Sequence, residues 1–352
     1  FGTVALTGLG VASGVASGAV ASGHSFKVGS VATVTGATPS GLNGDKRILT
    51  VASNSFTFDA TGIADGAATG TMSAKVAPAG WTKQYTGTNI AVYKMGGVEG
   101  TGFVLRVDDT DTTVARVRGY EVMSDVDTGT GPFPTVAQWA NPGLWWSKSN
   151  AAGGAARPWR IVADDRGLYF FCKNGVAFEH QGYFFGDILS LKSNDPYACV
   201  LRANTADRSS SATAIVDGLE YMDQTQSSDG LYIARAANTL GGAVKNHQSA
   251  VTSIGSPLAY VAGSVGLPYP SPVDNGLMLT PIAIYSAAGY RGYLPGVSSS
   301  PQITNAAFST GDVIAGSGEL VGKSVCVVKL GAPAAGVSQG VVFMDQTSDW
   351  RG

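Results

Sequence analysis

The sequence predicts an all-β protein, and three observations carry that prediction. Glycine occupies 48 of the 352 positions, well above the usual share of about 7%, which favours many tight turns. Charged residues make up only 14%, against about 25% in an average globular protein. Apolar residues at helical spacing are scarce, whereas short alternating apolar and polar runs recur. We expect a small β-sandwich or barrel, then a larger β-sandwich or β-rich domain with few short helices.

The first domain is predicted from short alternating runs that come about every ten residues. The pair Asn43-Gly44 is a strong hairpin signal, because both residues accept a positive φ. A stretch with proline and glycine at residues 76–81 marks a boundary. We place a β-domain at residues 18–77, after an N-terminal extension of residues 1–17. The alternating runs are residues 30–35, 47–51, 55–59 and 69–75.

The larger domain is predicted to span residues 78–352, where the strands are longer and richer in aromatics. Two pairs of alternating runs read as hairpins. Residues 135–141 are predicted to form one or two helical turns. Three arginines in the polar phase of the first hairpin are expected to face solvent or a partner. The hairpins join residues 102–108 to 113–120 and 160–163 to 167–172, and the arginines are Arg106, Arg116 and Arg118.

Composition argues against several classes of protein. A net charge of −2 does not suit a nucleic-acid-binding protein that works by bulk charge. No window holds the ~18 apolar residues of a membrane helix. We therefore expect neither nucleic acid nor membrane as a partner. The scattered cysteines are interpreted as free buried thiols, and the distant histidines predict no metal site. These residues are Cys172, Cys199, Cys326, His24, His180 and His247.

Catalytic motifs are incomplete, and we expect no enzymatic activity, no catalytic residues and no cofactor. Residues 317–324 nearly match a phosphate-binding loop, but the first glycine is missing and a β run follows where a helix is needed. Residues 127–129 match the Asp-Thr-Gly of aspartic proteases only once.

Two groups of acids leave alternatives open. One group lies in turns, where carboxylates either hold Ca²⁺ or cap backbone N–H groups. The other lies near the aromatic-rich region and supplies the candidates for a hydrolase, whose paired carboxylates would flank a cleft. The first group is Asp108, Asp109, Asp111, Asp125 and Asp127, and the second is Asp164, Asp165, Glu179 and Asp187.

Aromatic residues are dense between residues 139 and 185, which suits either a sandwich core or an exposed glycan platform. Trp145 and Trp146 are adjacent and would point to opposite faces of a strand, so one of them is a candidate for exposure. With Trp139, they are the candidate interface or glycan-contact residues.

Residues 24–75 resemble the small Ig-like β-modules of tailed-bacteriophage proteins. The shared pattern places a Gly-His pair first, an Asn-Gly turn in the middle, a Phe-Thr-Phe strand and a closing Gly-Thr followed by Ala-Lys. The residues that carry it are Gly23, His24, Gly29, Gly36, Asn43, Gly44, Phe56, Thr57, Phe58, Gly70, Thr71, Ala74 and Lys75.

The rest of the chain is similar, more loosely, to virion structural proteins of tailed phages, through residues 105–109, 115–120 and 291–296 among others. The resemblance implies a non-enzymatic virion component, tail-associated or in the baseplate, assembled in the host cytoplasm. Its partners would be copies of itself and other virion proteins. The alternatives are a capsid decoration or cement protein, and a receptor-binding module that contacts host surface polysaccharide.

Overall fold

A computed structural model confirms the all-β prediction, with 49% of residues in strands and 2% in helices. It describes residues 2–175, 179–205, 219, 230–249, 251, 267–304, 306–331, 340–347 and 350–351. Within these residues, the helices are the 3₁₀ turns Ser40–Leu42 and Gly318–Leu320, and none has the length and apolar content that spanning a bilayer requires. The chain divides into two compact units, Phe1–Ala79 with Ala315–Ser324, and Gly80–Ile314 with Val325–Gly352.

The first unit contains a sheet that closes on itself. Strand β1 pairs with β7 through its first residues and with β2 through its later ones. Strand β4 likewise pairs with β3 through its first half and with β5 through its second. The ring runs β1-β2-β5-β4-β3-β7 and back to β1, with β6 alongside β1. The strands are β1 (Val4–Ala12), β2 (Val15–Val20), β3 (Val31–Thr35), β4 (Gly44–Ala52), β5 (Ser55–Asp59), β6 (Gly66–Ala67) and β7 (Ser73–Val76).

The sequence analysis predicts that residues 1–17 are an extension, but this range contains β1 and the start of β2, which belong to the ring. Strand β1 hydrogen-bonds to three other strands of the unit, and Leu6, Leu9 and Val11 lie in its core. The compact unit therefore begins before residue 18. Small residues dominate β1 and obscure its alternation in the sequence.

One close approach fixes the way the ring closes. Gly36 has a φ of +78°, and a Cβ atom there would lie 2.0 Å from the carbonyl oxygen of Thr71. Gly70 faces it, and a Cβ atom at Gly70 would lie 2.2 Å from the carbonyl oxygen of Gly36. Only glycine fits where two backbone segments meet this closely.

The second unit contains three sheets. One runs β12-β11-β10-β9-β8 with β13 beside β11; the next runs β14-β15-β16-β18-β19-β20; the last runs β21-β22-β23-β26-β25-β24 with β17 beside β23. The strands are β8 (Thr82–Gly87), β9 (Ile90–Lys94), β10 (Val104–Asp108), β11 (Val114–Met123), β12 (Gly129–Phe133), β13 (Leu144–Ser147), β14 (Trp159–Ala163), β15 (Gly167–Cys172), β16 (Gln181–Asp187), β17 (Leu189–Ser190), β18 (Cys199–Arg202), β19 (Leu231–Ile233), β20 (Val244–Lys245), β21 (His247–Gln248), β22 (Thr280–Ser286), β23 (Gly289–Ser299), β24 (Val313–Ala315), β25 (Ser324–Leu330) and β26 (Gly340–Asp345).

The β14 sheet is the middle layer of this unit. Alternate residues of β16 enter two different cores: Phe184 packs with the β22–β26 side, and Tyr183 and Phe185 pack with the β10–β13 side. Every residue of β16 is buried as a result. Both predicted hairpins are confirmed, as β10–β11 and β14–β15.

The expectation that the polar-phase arginines face solvent or a partner is wrong for two of the three. Arg106 is 7% exposed and Arg118 is fully buried. The guanidinium of Arg118 donates to the carbonyl oxygens of Trp139 and Ala140 and to Oδ1 of Asn141. The segment that follows β12 covers this part of β11. Arg118 therefore binds a loop of the same chain and does not face solvent.

Candidate functional site

Two of the four hydrolase candidates, Asp164 and Asp187, meet around one arginine. Arg351 forms an ion pair with the Asp164 carboxylate, and its Nη2 donates to the carbonyl oxygen of Asp187 at 2.6 Å. The Asp187 carboxylate accepts from the backbone N–H of Thr101 at 2.8 Å and from the Thr101 hydroxyl at 2.7 Å. Burial raises the pKa of both Asp164 and Asp187 above the ordinary aspartate value.

This arrangement fastens loops. Asp187 holds the segment before β10, Arg351 holds the carboxyl-terminal segment, and the Asp164 side chain also accepts from the N–H of Arg166 at the β14–β15 turn. The Asp165 carboxylate lies 3.9 Å from Nε of Arg166. Glu179 lies elsewhere, where its N–H donates to the carbonyl oxygen of Gly331. Sequence reasoning had no signal for Arg351 as their common partner.

The acidic turns are built by side chains that cap the backbone. Asp111 accepts from the N–H and hydroxyl of Thr113, and Asp125 accepts from the N–H groups of Asp127 and Thr128. These bonds lower the pKa of Asp111 and Asp125. Asp108 and Asp127 both pair with Arg106, and Asp109 pairs with Lys148. No metal-like cluster of His, Cys, Asp or Glu occurs among the described residues.

The three thiols and one histidine, His180, are buried. All three cysteines are buried and free, as predicted. Burial raises the pKa of Cys172 to about 12, so its reactive thiolate is not populated near neutral pH. Burial lowers the pKa of His180 to about 4, which keeps that imidazole neutral there.

The two adjacent tryptophans do point to opposite faces. Trp146 is buried, its ring stacks between Phe170 and Tyr183, and its Nε1 donates to the carbonyl oxygen of Arg202. Trp145 is half-buried and carries the guanidinium of Arg116 over its ring, 3.4 Å from the centroid. A sugar could not stack on that ring face without displacing the arginine.

Trp139 is half-buried in a turn that begins with a reciprocal cap. The N–H of Gln138 donates to Oγ1 of Thr135, and Oε1 of Gln138 accepts from the N–H of Thr135. The Trp139 indole donates to the carbonyl oxygen of Gly143, and its ring packs on the core beside β16. The predicted helical segment is a single hydrogen-bonded turn, closed by the bond from the N–H of Trp139 to the carbonyl oxygen of Thr135, and it positions Trp139 against the core.

The most exposed apolar edge lies on β14, which sequence reasoning did not single out. This strand stands at the end of its sheet, and the described residues place no other strand beyond it. Trp159 is 54% exposed and Ile161 is 49% exposed, both on the face that carries Phe170 of β15. Arg160 points to the opposite face, where its guanidinium contacts Sγ of Cys326 at 2.6 Å. An apolar, exposed edge strand is a ready template for pairing with another chain.

No protein-family model and no curated protein matches this chain.

Proposed function

We propose that this chain is a non-enzymatic structural component of a tailed-phage virion, tail-associated or in the baseplate. It acts through self-assembly and through contacts with neighbouring virion proteins. The resemblance of residues 24–75 to phage Ig-like modules supports the assignment to a phage virion. The edge of β14, with Trp159 and Ile161 exposed, is the observation that carries the assembly role.

The edge suits pairing between copies. Two β14 strands that met antiparallel about Ile161 would place Arg160 opposite Val162 and Trp159 opposite Ala163. No like charges would then face each other, and the apolar side chains of both copies would share one face. A two-fold contact of this kind is the commonest way in which copies of one chain associate.

Electron cryomicroscopy of particles tests the proposal. Particles that carry the wild-type chain are expected to show its density in symmetric copies, with β14 at a contact, and Ile161→Lys is expected to reduce incorporation. Density on the capsid surface would instead place the chain as a decoration or cement protein. Absence of the wild-type chain from purified particles would contradict the proposal.

A further inference from the structure

The outer face of the β22–β23 sheet carries a row of aromatic side chains. His247 lies directly opposite Tyr285, and Tyr285 lies directly opposite Tyr290, so the three side chains project from the same face. Ring centroids are 5.8 Å apart for His247 and Tyr285, and 5.9 Å apart for Tyr285 and Tyr290. Tyr290 is 71% exposed. We call these three residues the aromatic row.

A β-bulge extends this surface. Ile284 pairs with Gly292 and Tyr285 with Tyr290, so Arg291 is the extra residue. Without the bulge, Tyr290 and Tyr293 would point to opposite faces, because side chains alternate along a strand. With it, they share a face. The buried ion pair between Arg291 and Asp195, 2.7 Å long, holds the bulge in place.

Part of this outer face is already covered. Val325, Val327, Val341 and Phe343 form a packed cluster there with the partly buried Leu277, Leu279, Phe308 and Ile314. Tyr285 and Tyr293 are half-buried and Tyr290 is open. The aromatic row therefore occupies the part of the face to which that packed cluster does not extend.

A polar cleft lies beside β23, the strand that carries Tyr290. Leu189 of β17 pairs with Tyr293 of β23, and Leu189 also lines a cleft of about 460 Å³. The cleft presents hydroxyl and amide groups from Ser190, Ser193 and Asn194. Its charged lining is balanced, with three acids and three bases: Glu99, Asp187, Asp195, Arg166, Lys192 and Arg351.

We propose that the aromatic row and this cleft form a binding site for a neutral oligosaccharide. Aromatic faces pack against the C–H faces of sugar rings, and mixed donors and acceptors suit hydroxyl groups, which do both. The balanced charge disfavours nucleic acid and other polyanions, which need a net positive groove. The interplanar angles of 34° and 58° along the row favour a single twisted glycan chain over a flat crystalline surface.

Affinity electrophoresis of the full chain tests the site, in gels that contain dextran, galactomannan or mixed-linkage β-glucan. At least one of these neutral polymers is expected to retard the wild-type protein. Tyr290→Ala is expected to raise the dissociation constant for that polymer at least about tenfold. Tyr290→Phe is expected to change it little, because the aromatic ring makes the contact. Leu240→Ala removes an apolar side chain that is also 71% exposed but lies outside the aromatic row and the cleft, so it is expected to leave the retardation unchanged.

Three results would overturn the proposal. The first is the absence of retardation in all three neutral gels. The second is equal retardation of the wild type and Tyr290→Ala. The third is retardation only in gels that contain heparin or poly(dT). Particle incorporation is a separate readout, so failure of this site leaves the assembly proposal standing.

Discussion

The two units differ in whether their sheets have open edges. In the first unit, β1 and β4 each pair with strands on both sides, and the sheet closes. In the second unit, three sheets stack in layers and end in edge strands such as β14. The cores differ as well. Within the described part of the first unit no charged side chain is buried, whereas the second buries Arg106, Arg118, Arg202, Arg291 and Asp187.

This difference separates two ways to hold a low-charge, glycine-rich chain together. Closure pairs β1 and β4 on both sides, and the described part of the first unit holds together without a buried charged side chain. The layered unit instead has long connections, and the buried Arg106, Arg118, Arg291 and Asp187 fasten those connections to the sheets. Open edges remain, and they are where contacts with other chains are expected.

Deletion of residues 1–12 is expected to have the largest effect. It removes β1, to which β2, β6 and β7 all pair, so the first unit should lose its protection against hydrogen exchange as a whole. Exchange measured by mass spectrometry would report each unit separately. Deletion of residues 1–2, which precede β1, is the control and should leave the protection intact. Retained protection after the longer deletion would refute closure through β1.

Gly36→Val tests the close approach in the ring. The new Cβ atom would meet the Thr71 carbonyl oxygen at a backbone angle that favours glycine, so we expect a loss of about 4 kcal/mol in the free energy of unfolding. Gly62→Val is the matched control, since Gly62 has a similar φ of +85° but nothing within 4 Å of its Cβ position. It should lose only about 1–2 kcal/mol. Denaturant unfolding would give the free energy of unfolding of both variants. Equal losses would show that the close approach to the Thr71 carbonyl oxygen is unimportant.

Arg118→Ala tests the loop fastening in the second unit. It leaves the carbonyl oxygens of Trp139 and Ala140 without their donor and opens a cavity, so we expect a loss of about 3 kcal/mol. Hydrogen exchange should increase in the second unit and stay unchanged in the first. Lys83→Ala, at an exposed position of β8, should change neither. A loss below about 0.5 kcal/mol for Arg118→Ala would contradict the fastening role.

Two aspartates, Asp187 in the second unit and Asp59 in the first, should contribute to the pH dependence of stability with opposite signs. Burial raises the pKa of Asp187 above 3.8, so this group lowers stability as pH rises from 3.8 through its folded-state value. Bonds from Thr61 lower the pKa of Asp59, so Asp59 adds stability above 3.8 that is lost as pH falls through its folded-state value. The free energy of unfolding would be measured against pH for the wild type, Asp187→Asn and Asp59→Asn. Subtracting each variant's curve from the wild-type curve would isolate the contribution of that aspartate. The same sign for both differences would contradict these assignments.

The sequence could predict the features that are encoded locally. Alternation and turn residues identified the β10–β11 and β14–β15 hairpins and the all-β class. Ring closure was not predicted, because five of the nine residues of β1 are glycine, alanine or threonine. Their small side chains give only a weak alternation of apolar and polar residues. The burial of Arg118 depends on a loop that folds over β11. The alternation of polar and apolar residues along one strand cannot show such a loop, so it predicts an exposed arginine. The aromatic row depends on the bulge at Arg291, which reverses the face of Tyr290 relative to simple alternation.

Native mass spectrometry of the wild type, Ile161→Lys and Val15→Lys tests whether copies associate at the open β14 edge. We expect the wild type to form oligomers, Ile161→Lys to shift them toward monomers, and Val15→Lys to leave them unchanged. Val15 is the matched control because it is similarly exposed, at 40% against 49%, but lies in the closed ring of the first unit. If the wild type stays monomeric, or if Ile161→Lys assembles as fully as the wild type, copies do not associate through β14.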